Sequence, residues 1–330
     1  MKVKEIGEFA LIKRLSSLIA KKQGGKPLFQ NLILGIGDDT AAWHNTSHTT
    51  LATTDCLVQN IHFRLEETSW YSLGWKALSV NLSDIAAMGG KAEYALVTLG
   101  LPPDCLVANV EEIYYGILDL AQQSDTIIVG GDISSSATIF INVALTGSTH
   151  GRILKRDGAQ PGDQIAVTGY LGLAAGGLNL ISERGSAPAS GDLLKQSFWQ
   201  PIPRLAEGTL LQEKGASACI DISDGLVSDL KHICHLSEVS AHLYLSAIPL
   251  HPTLQEHFNQ EALNLALNGG EDYELLFTAA PHIMSSIAGA MTTPCHVIGT
   301  IENGENGEVH LFNSNGGKYH LEKTGWDHFA

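Results

Sequence analysis

Thr126-Ile127-Ile128-Val129-Gly130-Gly131-Asp132 is an apolar run that ends in two glycines and a carboxylate. Four consecutive residues of this kind read as a buried strand. The glycines permit a tight turn or a close approach of backbone to ligand. An acid delivered at a strand end stands where α/β architectures build their sites. The design recurs in Ile36-Gly37-Asp38-Asp39, in Cys219-Ile220-Asp221-Ile222-Ser223-Asp224-Gly225, and in Asn268-Gly269-Gly270-Glu271-Asp272. A fifth placement, Thr53-Thr54-Asp55, puts an aspartate at the end of the strand expected over residues 50–54.

Between these segments the period changes to that of helices. Residues 8–19 space Phe9, Leu11, Ile12, Leu15, Leu18 and Ile19 as one apolar face. Residues 69–88 read as one long helix stopped by Gly89-Gly90, and residues 110–123 as another. Further strands are expected over 94–101, 139–147 and 164–168. The stretch 151–162 is turn-rich, which divides the chain into domains 1–150 and 151–330. The fold class is therefore mixed α/β (α+β) in two domains, and 330 residues suffice for two separate cores.

Composition narrows the function. Hydrophobic residues make up 44% and charged residues 17%, an ordinary globular balance. Thirty-five acidic against 20 basic residues leave a formal charge of −15, a field that repels nucleic acid. Five scattered cysteines without a C-x-x-C pair argue against a disulfide framework. The N-terminal stretch lacks the apolar core of a signal peptide, and the apolar run 165–181 is interrupted by four glycines. A cytoplasmic protein with no membrane partner is expected.

Each Gly-Asp pair alone is an ordinary turn. Five such acid placements in one chain form a carboxylate set that would repel itself without cations. Oxygen donors without Cys or His groupings favour Mg²⁺ over Zn²⁺. Asp84 lies amid Leu82, Ile85 and Ala86 with Asn81 on the same helical face. Two readings stay open for it: an exposed polar face at the helix end, or another metal ligand. Arg156 is either a solvated loop arginine or a phosphate clamp. Of 14 histidines only His62, shortly after Asp55, is retained as a candidate. No P-loop, protein-kinase motif or nucleophile elbow occurs, so any nucleotide chemistry rests on metal ions and backbone amides.

The ordered motifs IGDD, TTD, NIHF, KALSVNLSDIAAMG, GGD, GAQPGD, DISDGL, GGEDYEL and GWDHF resemble those of the bacterial thiamine-monophosphate kinase family. That family belongs to a superfamily with aminoimidazole ribonucleotide synthetase, selenophosphate synthetase and a hydrogenase maturation factor. The resemblance implies an N-terminal α/β domain whose sheet pairs with that of a second subunit, and a C-terminal α+β domain. It implies ATP as co-substrate, thiamine monophosphate as acceptor, several Mg²⁺ ions and a homodimer. By its motifs, Asp39, Thr53, Thr54, Asp55, Asp84, Asp132, Asp221 and Asp224 fall on metal positions. Gly131, Asp132, Arg156, Ser223 and Tyr115 fall on nucleotide positions, and His62, Glu271 and Trp326 on substrate positions. No residue is assigned as a general base, because the acceptor phosphate is already ionised near neutrality.

Overall fold

The computed structural model describes residues 2–6, 8–26, 32–34, 42–43, 49–182, 191–304 and 307–321. The chain divides into two compact units: residues Met1–Ile85 with Lys91–His150, and Ala86–Gly90 with Gly151–Ala330.

The first unit begins with the short helix α1 (Val3–Ile6), α2 (Glu8–Gln23), and the strand pair β1 (Leu32–Leu34) and β2 (Ala42–Trp43). Then follow β3 (Thr49–Val58), α3 (Trp70–Ala87), β4 (Lys91–Leu101), α4 (Val107–Gln123), β5 (Ile127–Ser135) and β6 (Phe140–Thr149). Four of these strands form a sheet in the order β3-β6-β4-β5, parallel only between β4 and β5. Ile141, Val143 and Leu145 of β6 alternate with half-buried neighbours, as expected when one face is covered and the other is not. Two glycines bring α3 and α4 close together: a Cβ on Gly74 would stand 1.9 Å from Ile113 O, and one on Gly116 1.9 Å from Tyr71 O. At the end of α2, the buried Gln23 donates from Nε2 to Thr126 O (3.0 Å) and accepts the Ile128 N–H (2.9 Å). This amide stitches α2 to β5.

The second unit carries a seven-stranded sheet in the order β13-β12-β9-β11-β7-β10-β8. Its strands are β7 (Gln164–Thr168), β8 (Ala218–Asp221), β9 (Ser240–Tyr244), β10 (Leu275–Ala279), β11 (Cys295–Glu302), β12 (Val309–Phe312) and β13 (Lys318–Tyr319). The helices are α5 (Leu173–Ser182), α6 (Gly191–Trp199), α7 (Leu205–Lys214), α8 (Leu226–Ser237), α9 (Pro252–Phe258), α10 (Glu261–Asn268) and α11 (Pro281–Ala290). The central strands are apolar on both faces because both are covered. Ile165, Val167, Ala218, Ile220 and Leu276 share a core with Leu230 and Ile233 of α8. Ala166, Cys219, Leu275 and Phe277 pack with Leu211 of α7 and with Met284 and Ile287 of α11.

Three expectations about the carboxylate segments change. Strand β3 does not end at Asp55 but continues to Val58, because Cys56, Leu57 and Val58 keep pairing with Asn142, Ile141 and Phe140. Strand β5 likewise runs through Gly130-Gly131-Asp132 to Ser135, paired with β4. Gly131 is required there by crowding, since a Cβ would lie 1.9 Å from Val97 O. The Gly269-Gly270-Glu271 segment leaves a helix, not a strand: Ala262, Ala266 and Leu267 form the buried stripe of α10.

Candidate nucleotide and metal site

In the first unit, strand alternation sends Thr53 and Asp55 to one face and Thr54 to the other. Thr53 Oγ1 donates to Asp84 Oδ2 of α3 at 2.5 Å. One turn earlier on the same helical face, the buried Asn81 accepts the Asp55 N–H on Oδ1 at 3.0 Å. Asp84 is thus no exposed helix end; it is half-buried and faces β3 beside Asn81. Thr54 Oγ1 instead donates to Asn142 Oδ1 (3.2 Å) and Val143 O (3.1 Å). His62 follows β3 in a turn, where Nδ1 accepts the Val58 N–H at 3.0 Å. That bond places the imidazole proton of the neutral form on Nε2.

Asp132 belongs to the opposite edge of the sheet. The register runs Asp55–Val143–Val97–Gly131, so two strands separate β3 from β5, a span of about 14 Å at ordinary strand spacing. Asp132 Oδ2 accepts the Ser134 hydroxyl at 3.0 Å. Next to it lies a cleft of about 440 Å³ including its open mouth, lined by Leu15, Ser16, Ile19, Val97, Tyr114, Gly130, Gly131, Asp132 and Ile133. It has an apolar floor and a carboxylate at the rim. Tyr114, 5% exposed, lines the cleft, while Tyr115 stands exposed on the outer side of α4. The apolar spacing of Val110, Ile113 and Ile117 could have assigned Tyr114 to the covered face; no local signal tied α2 to the cleft.

In the second unit, β8 ends on the buried Asp221, and the chain turns through Ile222, Ser223 and Asp224 into α8. One oxygen organises that turn. Asp229 Oδ2 accepts the N–H groups of Ser223, Asp224 and Gly225, each at 3.1 Å. Burial, followed by the charges of Asp221 and Asp224, pushes the Asp229 carboxyl up to about 7, against the pull of the N–H donors. The spacing alone did not reveal this role. The segment carrying Glu271 lies directly alongside: Glu271 N donates to Ser223 O (2.8 Å), Tyr273 N to Ile222 O (2.9 Å), and Ile222 N to Glu274 O (2.8 Å). Arg204 grips Glu274 through Nε–Oε2 (2.7 Å) and Nη2–Oε1 (2.5 Å). Arg156 is exposed in the connector before β7. Asp39 and Trp326 lie outside the described residues.

Among the described residues, no three His, Cys, Asp or Glu side chains are gathered closely enough to hold one ion. The carboxylates are instead distributed between β3 with α3, β5, and the turn after β8. Within each unit, hard oxygen donors of this kind fit Mg²⁺, which takes one or two carboxylates and completes its shell with water and substrate phosphates. They fit Zn²⁺ poorly, for want of nitrogen or sulfur donors.

Two family models match the chain: the N-terminal domain of AIR synthase related proteins over residues 37–149, and their C-terminal domain over residues 160–312. The class is therefore that of the AIR synthase related proteins. The thiamine-monophosphate kinase of Aquifex aeolicus (strain VF5) is 37% identical over 100% of both chains. The crystal structure of thiamine-monophosphate kinase from Stenotrophomonas maltophilia K279a superposes with a TM-score of 0.82 at 35% identity, covering 93% of this chain and 96% of that one. AaThiL complexed with AMPPCP and TMP matches at a TM-score of 0.76 and 37% identity, over 99% of this chain and 98% of that one. Within its class, the chain belongs to the thiamine-monophosphate kinase family. No described helix is long and apolar enough to cross a membrane.

Proposed function

We propose that the chain transfers the γ-phosphoryl group of ATP directly to the phosphate of thiamine monophosphate, giving thiamine diphosphate. The observation that carries this reading is the set of oxygen donors in the first unit: Thr53 and Asp55 on the face of β3 that meets Asp84 and Asn81 of α3, and Asp132 after Gly131 on β5. Hard oxygen donors of this kind are suited to metal-bound phosphate. The whole-length likeness to thiamine-monophosphate kinases, one of them complexed with AMPPCP and TMP, supports the pairing of substrates.

Donor and acceptor are both anions, and two unit charges about 4 Å apart repel by about 4 kcal/mol at an effective dielectric near 20. Bound Mg²⁺ ions offset that repulsion and stabilise the charge of an in-line transfer. Asp55, Asp84, Asp132, Asp221 and Asp224, with Asp39, Thr53 and Thr54, would hold them. Gly131, Ser223 and Arg156 would contact the nucleotide. Tyr115 remains a further nucleotide candidate. His62, Glu271 and Trp326 would orient the thiamine moiety, Trp326 by stacking on its cationic ring. With an acceptor already ionised, the residues bind and align, and none withdraws a proton.

A homodimer with two-fold symmetry is part of the proposal, supported by the family likeness. The deciding assay is coupled ADP release with thiamine monophosphate present and absent, with aminoimidazole precursors as rival acceptors. ADP formation that needs thiamine monophosphate supports the reading. Binding of both ligands without ADP would instead make the chain a thiamine-phosphate or nucleotide sensor.

A further inference from the structure

The Gly270–Glu274 turn carries three carboxylates, and the structure gives two of them to the scaffold. Glu274 is held by Arg204 and by the hydroxyl of Thr168 (2.5 Å). Asp272 accepts the Gly172 N–H on Oδ2 (2.7 Å) and the Ala174 N–H on Oδ1 (3.2 Å), satisfying donors at the start of α5. On either side of Asp272 the backbone enters the left-handed region without glycine: φ is +70° at Glu271 and +51° at Tyr273. Non-glycine residues hold such conformations only where surrounding contacts over-determine them.

Those contacts come from two sides. The N–H groups of Glu271 and Tyr273 donate to Ser223 and Ile222, and Gly270 packs so tightly that a Cβ would lie 2.2 Å from Ser223 O. From the other side the Asp272 side chain, between the two strained residues, ties the turn to α5. The approach to α5 is itself crowded: Gly172 has φ +82°, and a Cβ there would lie 2.7 Å from Ala266 N. Relaxation of either strained residue toward an ordinary φ would rotate the adjoining peptide planes and swing the Glu271 side chain.

We propose that Asp272 is a positioning residue for the acceptor: its two hydrogen bonds to the start of α5 hold the strained turn that aims Glu271 at the organic part of the phosphate acceptor. This rests on the proposed assignment of Glu271 to the acceptor. Asp272 itself touches no substrate and acts through Glu271. The acceptor chemistry it serves is that of a cationic or amine-bearing heterocycle, which a carboxylate recognises.

The test uses the full-length chain and four proteins: wild type, Asp272→Asn, Glu271→Gln and the double variant. Asparagine offers one acceptor where Asp272 uses two, and turns an amide N–H toward the remaining backbone donor. For Asp272→Asn the KM for thiamine monophosphate should rise about tenfold, while kcat and the KM for ATP stay within about twofold. The double variant should be no worse than Glu271→Gln alone, because both changes remove one function. Multiplying effects in the double variant, or equal rises of both KM values, would overturn the proposal while leaving the kinase reading intact. Absence of turnover by the wild type with thiamine monophosphate would remove both. Should Asp272→Asn fail to fold, Asp272→Ser, which keeps one acceptor without adding an amide donor, takes its place with the same expected split.

Discussion

Replacing Asp229 by alanine withdraws a single oxygen from three backbone donors at once. Ser223 and Asp224 are half-exposed, so water can take over their N–H groups at under about 1 kcal/mol each; Gly225 is buried, and its orphaned N–H costs about 1–3 kcal/mol. Against this, removing a carboxyl whose charged form is disfavoured by burial returns part of the loss. The balance is a destabilisation of about 2–3 kcal/mol, or roughly 5–10 °C in melting temperature for a unit of this size. Asparagine can place its amide oxygen where Oδ2 stood and retain all three contacts, so its cost should stay near 1 kcal/mol or below. Melts at pH 8, above the Asp229 value of about 7, separate the two variants. Because the turn carries Ser223 and Asp224, Asp229→Ala should also raise the KM for ATP several-fold. If the alanine and asparagine variants melt within about 1 °C of each other, the turn does not depend on that oxygen and the reasoning is refuted.

Asp55→Asn, Asp84→Asn and Asp132→Asn should each lower turnover at least about 100-fold with melting unchanged; near-normal turnover in all three would take these carboxylates out of the chemistry. Gly116→Ala should destabilise the first unit by about 3 kcal/mol or more, since overpacking here meets backbone rather than a yielding side chain; an unaltered melt would contradict the α3–α4 contact. Burial raises the Asp272 carboxyl to about 7, against its N–H donors, so between about pH 4 and 7 the folded chain keeps a proton that the unfolded chain has released. Its contribution to stability therefore falls as pH rises through that window, by at most about 1.4 kcal/mol per pH unit. Denaturant midpoints from pH 5 to 8 should slope more steeply for the wild type than for Asp272→Asn, and parallel profiles would refute the shift.

Element types were legible in the sequence where local period and punctuation agree. The helix expected over 69–88 is α3, Trp70–Ala87, stopped at Gly89 with φ +69° as its glycines required. The helix expected over 8–19 is α2, extended to Gln23 because that residue finds partners on β5. The order of the motifs was sufficient to place the chain in its family. What the one-dimensional pattern could not show is where strands stop, because pairing with a neighbour overrides a glycine or an acid in the strand. Hence Asp55 and Asp132 lie within β3 and β5, and the sheet order sets them at opposite edges. Nor could it assign the work of individual carboxylates. Asp84 and Asn81 became a wall facing β3 only through contacts 31 and 26 residues away in sequence. Asp229 and Asp272 look like any other acids until the backbone donors that surround them are in place. The sequence determines which residues carry charge and which face is apolar; the tertiary structure decides which charges meet a ligand and which hold the backbone, because hydrogen bonds are directional and their partners are brought together only by folding.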